Sequence, residues 1–523
     1  MGLFQKFKNF LAGSPNKIEK VVEYTDFEKA YVSKKVKENK KYLQQILNNA
    51  EDIVYRDFYI GVSKQPMMMV FVEGMVEKNL LGEQVLKAMM VDLNQDLYRE
   101  IFTLAEIKNR LISVAEIREA ETFDSLVLAL LSGDTLVFLE GFSHGLIIGG
   151  KGWTNRSIAE PTTEKSVKGP KDCFIESIRS NIVMIRRRIR DPNLAVEMLK
   201  VGRRTKTDVA VVYIKGVLDP EIAEEIKRRI EAIDIDGFTD SSALEELISD
   251  KQWTIFPLSR QTERPDKVVA ALLEGRAGIL IDGTPFVLIV PITFSALLAA
   301  AEDYYQNPIV ASTIRLTRYF SFYASAVLPG LYLSLVSFHP GMLPPRLALA
   351  IVSTRVALPF PGFVEIILME TVLEILQEAG IRLPTVVGQT VGIVGGIVIG
   401  QAAVQAGLVS PIVVIIVTLT AITSFTIPSY DLNLCSRILR MPFVLAAVFF
   451  GFYGIVILTL FILFHMAALT SFGVGYLEDF SPYHIGDLKD SLIRVPTSMM
   501  KKRPGFLKPQ DKTREIDHKR MKK

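Results

Sequence analysis

The sequence predicts an α+β chain in which two duplicated cytosolic α/β lobes precede an α-helical multi-span membrane domain. Three observations carry this expectation. Between Arg382 and Asp431 run forty-eight residues without a single Asp, Glu, Lys or Arg, room for two spans of about 20 residues each. Apolar runs are unevenly placed: residues 1–280 alternate charged and apolar stretches, whereas residues 284–477 hold nearly all the long ones. Finally, two stretches of the first half match without gaps at a constant offset of 142 residues.

The chain opens with Met1-Gly2-Leu3-Phe4-Gln5-Lys6-Phe7-Lys8, which has no apolar core of a secretory signal behind it, so the N-terminal region is expected in the cytosol. Residues 1–50 read as an N-terminal extension. In the repeat, Val70–Val76 parallels Val212–Leu218, Phe123–Gly133 parallels Pro265–Gly275, and Val137–Gly141 parallels Ile279–Gly283. Each copy reads as strand, Gly, helical stretch, Gly, strand, which predicts lobes over 51–150 and 205–290. Residues 151–204 read as a basic helical connector.

Two features of this half resemble nucleotide or anion sites. Gly145–Gly152 imitates a phosphate-binding loop, but Gly152 stands where a metal-binding hydroxyl is needed, so it reads as a glycine-rich loop after a strand. Arg186-Arg187-Arg188-Ile189-Arg190 reads as a solvated, salt-bridged helix end, with lipid headgroups or nucleic acid as rivals. A net charge of +3 gives no case for a nucleic-acid partner. Cys173 and Cys435 lie in different regions and imply no disulfide. Neither His339 nor His465 has a partner at metal-ligand spacing, so no metal, cofactor or catalytic set is expected and nothing argues for an enzyme.

The helical membrane domain is expected over 300–470, with spans at 320–338, 386–407, 411–428 and 443–465. Segments 284–301 and 356–379 stay open, the first as a sheet edge or connector. The tail 471–523 is basic, with twelve Lys/Arg against four Asp/Glu after residue 488, which places it in the cytosol. An even number of crossings follows. It leaves the connector 429–442, with Arg437 and Arg440, on the opposite side, against the same charge bias.

Span 386–407 has two faces. Gly388, Gly392, Gly396 and Gly400 recur every four residues, a ridge for close helix packing. Thr390, Val394, Ile397, Gln401 and Gln405 fall on another face within about 80°, the candidate wall of a pore. Glu365 precedes a stripe of Glu370, Glu374 and Glu378 at helical spacing. These four read either as an acidic vestibule attracting cations or as an amphipathic helix paired with Arg355 and Arg382.

Longer motifs resemble a known family. Pro359-Phe360-Pro361-Gly362-Phe363-Val364-Glu365, Glu374–Pro384 and Ile393–Val404 are similar to the A subunit of bacterial spore germinant receptors, the GerA family. Lys168–Asp172 with Phe174–Ser177, and Thr262-Glu263-Arg264-Pro265-Asp266, agree. Cys173 departs from the family's glycine there. The resemblance spans about residues 50–480 and implies a subunit of the spore inner membrane. It implies assembly with a transporter-like B subunit, a lipoprotein C subunit and further copies of itself, and a ligand-gated cation channel that responds to nutrients. Amplifying paralogues share the motifs. Two rivals stand beside the channel: a small-solute secondary transporter, which predicts paired broken helices, and a non-conducting scaffold for a sensory partner.

Overall fold

The computed structural model describes residues 30–60, 64–77, 79–87, 90, 116–152, 161, 163–164, 166–356, 358–382, 398–481 and 488–514. Two five-stranded antiparallel sheets form first. The first sheet has the order β1 (Ile53–Ile60), β2 (Gln65–Val72), β4 (Thr135–Leu139), β5 (Gly145–Ile148), β3 (Ile117–Ala120). Period-two alternation divides its faces. Met68, Val70 and Val72 pack under α1 (Val36–Ile46) and α2 (Phe123–Leu131), while Met67 and Met69 face Leu81 and Val85 of the π-helical segment Leu80–Leu86. Helix α1 thus belongs to this lobe, although residues 1–50 read as an extension.

The second sheet repeats the topology: β6 (Leu194–Val201), β7 (Thr207–Ile214), β9 (Ala277–Ile281), β10 (Val287–Val290), β8 (Arg260–Thr262). Val209, Val211 and Tyr213 pack on α4 (Pro220–Glu231) and α5 (Ser241–Ile248); Ala210, Val212 and Ile214 pack on α3 (Ile178–Arg186) and α6 (Pro265–Glu274). The first residues of β2, α2, β4 and β5 each precede those of β7, α6, β9 and β10 by 142. The turns explain the register. Gly74, Gly133 and Gly141 have φ of 81°, 94° and 96°, and Gly216, Gly275 and Gly283, at the same offset, have 78°, 103° and 92°. Residues with a Cβ avoid that region, so each copy keeps glycine there.

Strand β6 and helix α3 lie inside the stretch read as a connector. Segment 284–301 supplies β10, an interior strand, and the short α7 (Phe294–Leu298), both buried, so it is part of the lobe and not a span. The arginine run is not a solvated helix end throughout. Arg186 is 1% exposed and Asp52 5%; Arg186 Nε and Nη2 donate to the two Asp52 carboxylate oxygens at 2.7 and 2.8 Å. Arg188 pairs with Asp172. The bidentate Arg186–Asp52 pair joins α3 to the lead-in of β1 and so connects the two lobes. In the glycine-rich loop, Lys151 bridges to Val76 and its ammonium lies 3.5 Å from Asp134.

Helices follow: α8 (Pro308–Ser337), α9 (Pro345–Arg355), α10 (Gly362–Arg382), a helical stretch at 398–405, α11 (Pro411–Phe425) and α12 (Tyr430–Ala467). Asn307 caps α8 ahead of Pro308, and Ser410 caps α11 ahead of Pro411. Helices α8 and α12 are each long and apolar enough to cross a membrane, and α11 is a shorter apolar helix. The first span therefore starts before the expected residue 320. Segment 356–379 becomes α10, and residues 386–397 lie outside the described residues.

Helix α12 corrects the expectation for 429–442 and 443–465. The supposed connector is helical, and the helix breaks at Gly451, whose φ of 59° and ψ of −140° suit glycine alone. A straight helix of this length would measure about 57 Å. Instead, His465 near one end bonds Thr254, while Asp431 and Cys435 near the other share a cavity wall with Thr254 and Phe256. A Cβ at Gly454 would overlap the Ala446 carbonyl. Residues 430–450 and 452–467 are thus two arms of a hairpin folded at Gly451, and both feet rest on the second lobe. Arg437 lies on the lobe-side half of one arm and Arg440 at its middle, and both pair with acids of α10.

The chain then returns. Strands β11 (Thr470–Ser471) and β12 (Val474–Gly475) form a small hairpin, α13 (Leu488–Ser491) follows, and Phe506 and Leu507 enter the core of the second lobe. Asp511 N donates to Gly216 O at 2.8 Å.

Replacing Asp52 with Ala is expected to cost about 3–5 kcal/mol, because it strands a buried guanidinium. Asp52→Leu with Arg186→Met is expected to recover most of that loss. Urea unfolding of the purified chain, followed by lobe-specific proteolysis, measures both.

Candidate functional site

Charged groups inside an apolar helix bundle are costly and need partners, so they mark where the sequence has a task beyond packing. The first set lies at the foot of α8. Arg315 is fully buried and Arg318 nearly so; both approach Asp303 Oδ2, at 3.2 and 2.9 Å. Asp303 comes from the turn before α8, and Arg315 also meets Asp490 of α13 at 3.1 Å. Tyr304 donates to Asp490 at 2.9 Å. Beside this cluster is a cavity of about 160 Å³ whose wall includes Arg260, Lys267, Glu274 and Arg276. Burial lowers the Lys267 ammonium to about 8, against the pull of its partner Glu164 at 2.6 Å. Burial also raises the Glu274 carboxyl, which Arg276 approaches only to 3.7 Å.

The second set joins α10 to its neighbours. Glu370 and Arg440, both 4% exposed, pair at 2.6 Å, and Arg440 Nε also donates to the Ser325 carbonyl at 3.1 Å. One arginine therefore ties α10, α12 and α8 together. Glu374 pairs with Arg437, with Nε at 3.2 Å. Glu365 is fully buried: its Oε2 accepts from Ser410 N at 2.8 Å, and Arg355 lies 3.5 Å from its Oε1. Glu378 is exposed and pairs with Arg382 at 2.6 Å. The four acids form a ladder of acid–arginine pairs rather than a row of free carboxylates. Around Glu370 and Glu374 lies a groove of about 350 Å³ between α10 and the first arm of α12.

A third feature is close packing. A Cβ at Gly330 would stand 2.7 Å from the Phe443 carbonyl oxygen, so α8 and α12 touch backbone to backbone there. Of the predicted glycine ridge, Gly400 is buried, and a Cβ on it would meet Val414 Cγ1 of α11 at 3.3 Å. Gly388, Gly392 and Gly396 lie outside the described residues. So do Thr390, Val394 and Ile397 of the predicted pore face. Its other members, Gln401 and Gln405, are exposed on the helix bundle, next to exposed Val398.

Fourth, the second lobe grips the hairpin. Phe256, 3% exposed, lies 5.9 Å ring to ring from His465 of one arm and lines the cavity shared with Leu434 and Cys435 of the other. His339, at the end of α8, faces the rings of Phe452 and Tyr453 just past the Gly451 corner. Among the described residues no cluster of His, Cys, Asp and Glu could hold a metal ion.

Sequence reasoning missed Asp303, Arg315, Arg318 and the partners of Arg437 and Arg440. Its available signal was positional: arginines at the ends of apolar helices demand acids from elsewhere.

The family model described as Bacillus/Clostridium GerA spore germination protein matches residues 41–506. Spore germination protein KA of Bacillus subtilis (strain 168) is 39% identical over 485 residues, covering 92% of this chain and 88% of that protein. Spore germination protein B1 of the same organism is 38% identical over 473 residues, covering 90% and 97%. Among solved structures, the N-terminal domain of the A subunit of the Bacillus megaterium spore germinant receptor GerK3 is 34% identical. It covers 51% of this chain and 98% of that one, with a TM-score of 0.41.

Arg440→Ala is expected to destabilise the helix bundle by about 3–5 kcal/mol, leaving Glu370 buried and unmatched, while Glu370→Leu with Arg440→Met restores most of it. Gly330→Leu is expected to cost about 3 kcal/mol through forced separation of α8 and α12. Thermal unfolding of the detergent-purified variants decides both, and an unchanged midpoint for Gly330→Leu would disprove the close contact.

Proposed function

The chain belongs to the Bacillus/Clostridium GerA family of spore germination proteins, and from that premise we propose that it is the membrane subunit of a spore germinant receptor complex. In this reading it forms an oligomeric, nutrient-gated cation channel whose opening triggers germination. The observation that carries the reading is the exposure of Gln401 and Gln405 on an apolar bundle. Polar side chains at membrane depth face a neighbouring helix or water, so a single copy leaves this face unfinished. Further copies arranged around it would complete a polar path, with Gly388, Gly392, Gly396 and Gly400 packing the neighbouring helix.

The rest of the architecture fits such a task. The Arg186–Asp52 pair joins the duplicated lobes, and Phe256 packs on His465 of one arm and lines a cavity with Leu434 and Cys435 of the other. A change in a lobe, or in a transporter-like B subunit or lipoprotein C subunit bound to it, would reach the helices through these contacts. The role requires multiple spans in the spore inner membrane, with lobes and tail on the cytosolic side. Coupling and conduction of this kind need no catalysis and no cofactor.

A non-conducting scaffold is the second reading, favoured by the Glu370–Arg440 and Glu374–Arg437 pairs, which hold α10 and α12 together. Ion flux through the purified chain in liposomes, alone and with its co-expressed partners, separates the two. The channel reading expects a cation flux that changes severalfold in Gln401→Leu, Val394→Ala or Ile397→Ala. A stable oligomer with no flux, alone or in complex, assigns conduction to a partner and leaves this chain as the coupling scaffold.

A further inference from the structure

Trp253 is 96% exposed, an unusual position for the largest apolar side chain in a soluble lobe. The loop that carries it is not loose. Asp250 accepts from Thr470 at 2.8 Å, Thr254 bonds His465 at 3.2 Å, and the Leu258 carbonyl accepts from Ser471 at 2.7 Å. All three anchors lie at or just beyond the foot of the second hairpin arm. Ile255 and Phe256 line a cavity with Leu434 and Ile438, more than one turn above the foot of the first arm. The loop therefore rises alongside the helices to the level where they begin, with its indole pointing away from the protein. Exposed Ile255 extends this apolar tip, exposed Lys251 and Gln252 flank it, and Tyr430 and Phe464 on the two arms are exposed at similar depth.

An indole with a polar N–H favours the boundary between hydrocarbon and water, and a lysine beside it reaches phosphate. We propose that residues 251–255 are an interfacial anchor. Trp253 sits in the lipid headgroup layer on the lobe side and sets the height and tilt of the second lobe against the bilayer. This inference rests on the membrane reading above and adds to it a direct lipid contact by the soluble half. The occupant is lipid because the loop is continuous with the helix ends and combines an exposed indole with a lysine.

The chain has two tryptophans, Trp153 and Trp253, so Trp153→Phe makes Trp253 the only indole reporter. The full-length variant is reconstituted into vesicles of phosphatidylcholine and phosphatidylglycerol, recovered by flotation, and probed with nitroxide lipids and with aqueous iodide. If Trp153→Phe does not fold, the difference between the unmodified chain and Trp253→Phe gives the same signal. The anchor predicts blue-shifted emission, at least twofold quenching by a nitroxide at headgroup depth, and weak quenching by iodide. Strong iodide quenching with no lipid quenching in floated protein overturns the anchor and leaves the membrane reading intact. Shielding from both quenchers overturns it as well, assigning the patch to a second copy or a protein partner. Protein that fails to float overturns the membrane reading and the anchor together.

Discussion

The structure depends on one constraint: a buried charge must be met by an opposite charge, wherever in the chain that partner has to come from. Asp303 carries most of this burden, accepting both Arg315 and Arg318 at the foot of the first long helix. Arg315 needs a second acceptor, and Asp490 of α13 supplies it from beyond the hairpin. The tail must therefore return to the place where α8 starts. Having returned, it continues across the second lobe, where Phe506 and Leu507 are buried. Such clusters add little net stability, because desolvation offsets the attraction. Their consequence is register: α8 can neither slide nor rotate without stranding a charge, so lobe, first helix and tail hold one arrangement.

The corner at Gly451 has a comparable effect on the last apolar stretch. It turns 38 residues back on themselves, so both ends of the hairpin meet the same loop of the second lobe. Phe256 then packs on His465 of the second arm and lines a cavity with Leu434 and Cys435 of the first, and Arg440 on the first arm reaches both α8 and Glu370 of α10. The helices are consequently linked to the lobes at their feet and to one another at mid-height. On the coupling reading, a displacement of the lobe surface around Phe256 would reach two helices that share one pivot, and the Gly330 contact with Phe443 would carry part of it to a third.

The parts of the fold that were legible in the sequence are those fixed by local chemistry. The duplication shows because left-handed turns at Gly74, Gly133 and Gly141 recur at Gly216, Gly275 and Gly283, and no other residue type takes those turns cheaply. The long apolar runs show because almost no charge interrupts them. What stayed hidden was non-local. Gly451 lies between Phe450 and Phe452 with no proline or charge to mark a corner, and the break shows in its backbone angles and in the shared neighbours of the two ends. Arg437 and Arg440 looked like a loop because their partners, Glu374 and Glu370, are more than sixty residues away. Arg186 looked solvated for the same reason: Asp52 is 134 residues distant. Lobe boundaries drifted because α1 and β6 are placed by the sheet faces and edges they complete, and no punctuation in their own sequence marks them.

These pairings bear on how a path for ions would work. Glu365, Glu370, Glu374 and Glu378 each face an arginine, so at a distance the stripe is nearly neutral and attracts cations weakly. On the channel reading, the work then falls to neutral groups. Gln401 and Gln405 offer amide carbonyls, which can replace part of a cation's water shell, and amide N–H groups, which can do the same for an anion. Such a wall discriminates by geometry and by the number of oxygens presented together, both of which depend on how many copies surround the axis. On that reading selectivity would be a property of the assembly, while the Glu370–Arg440 and Glu374–Arg437 pairs hold α10 against α12 within each copy.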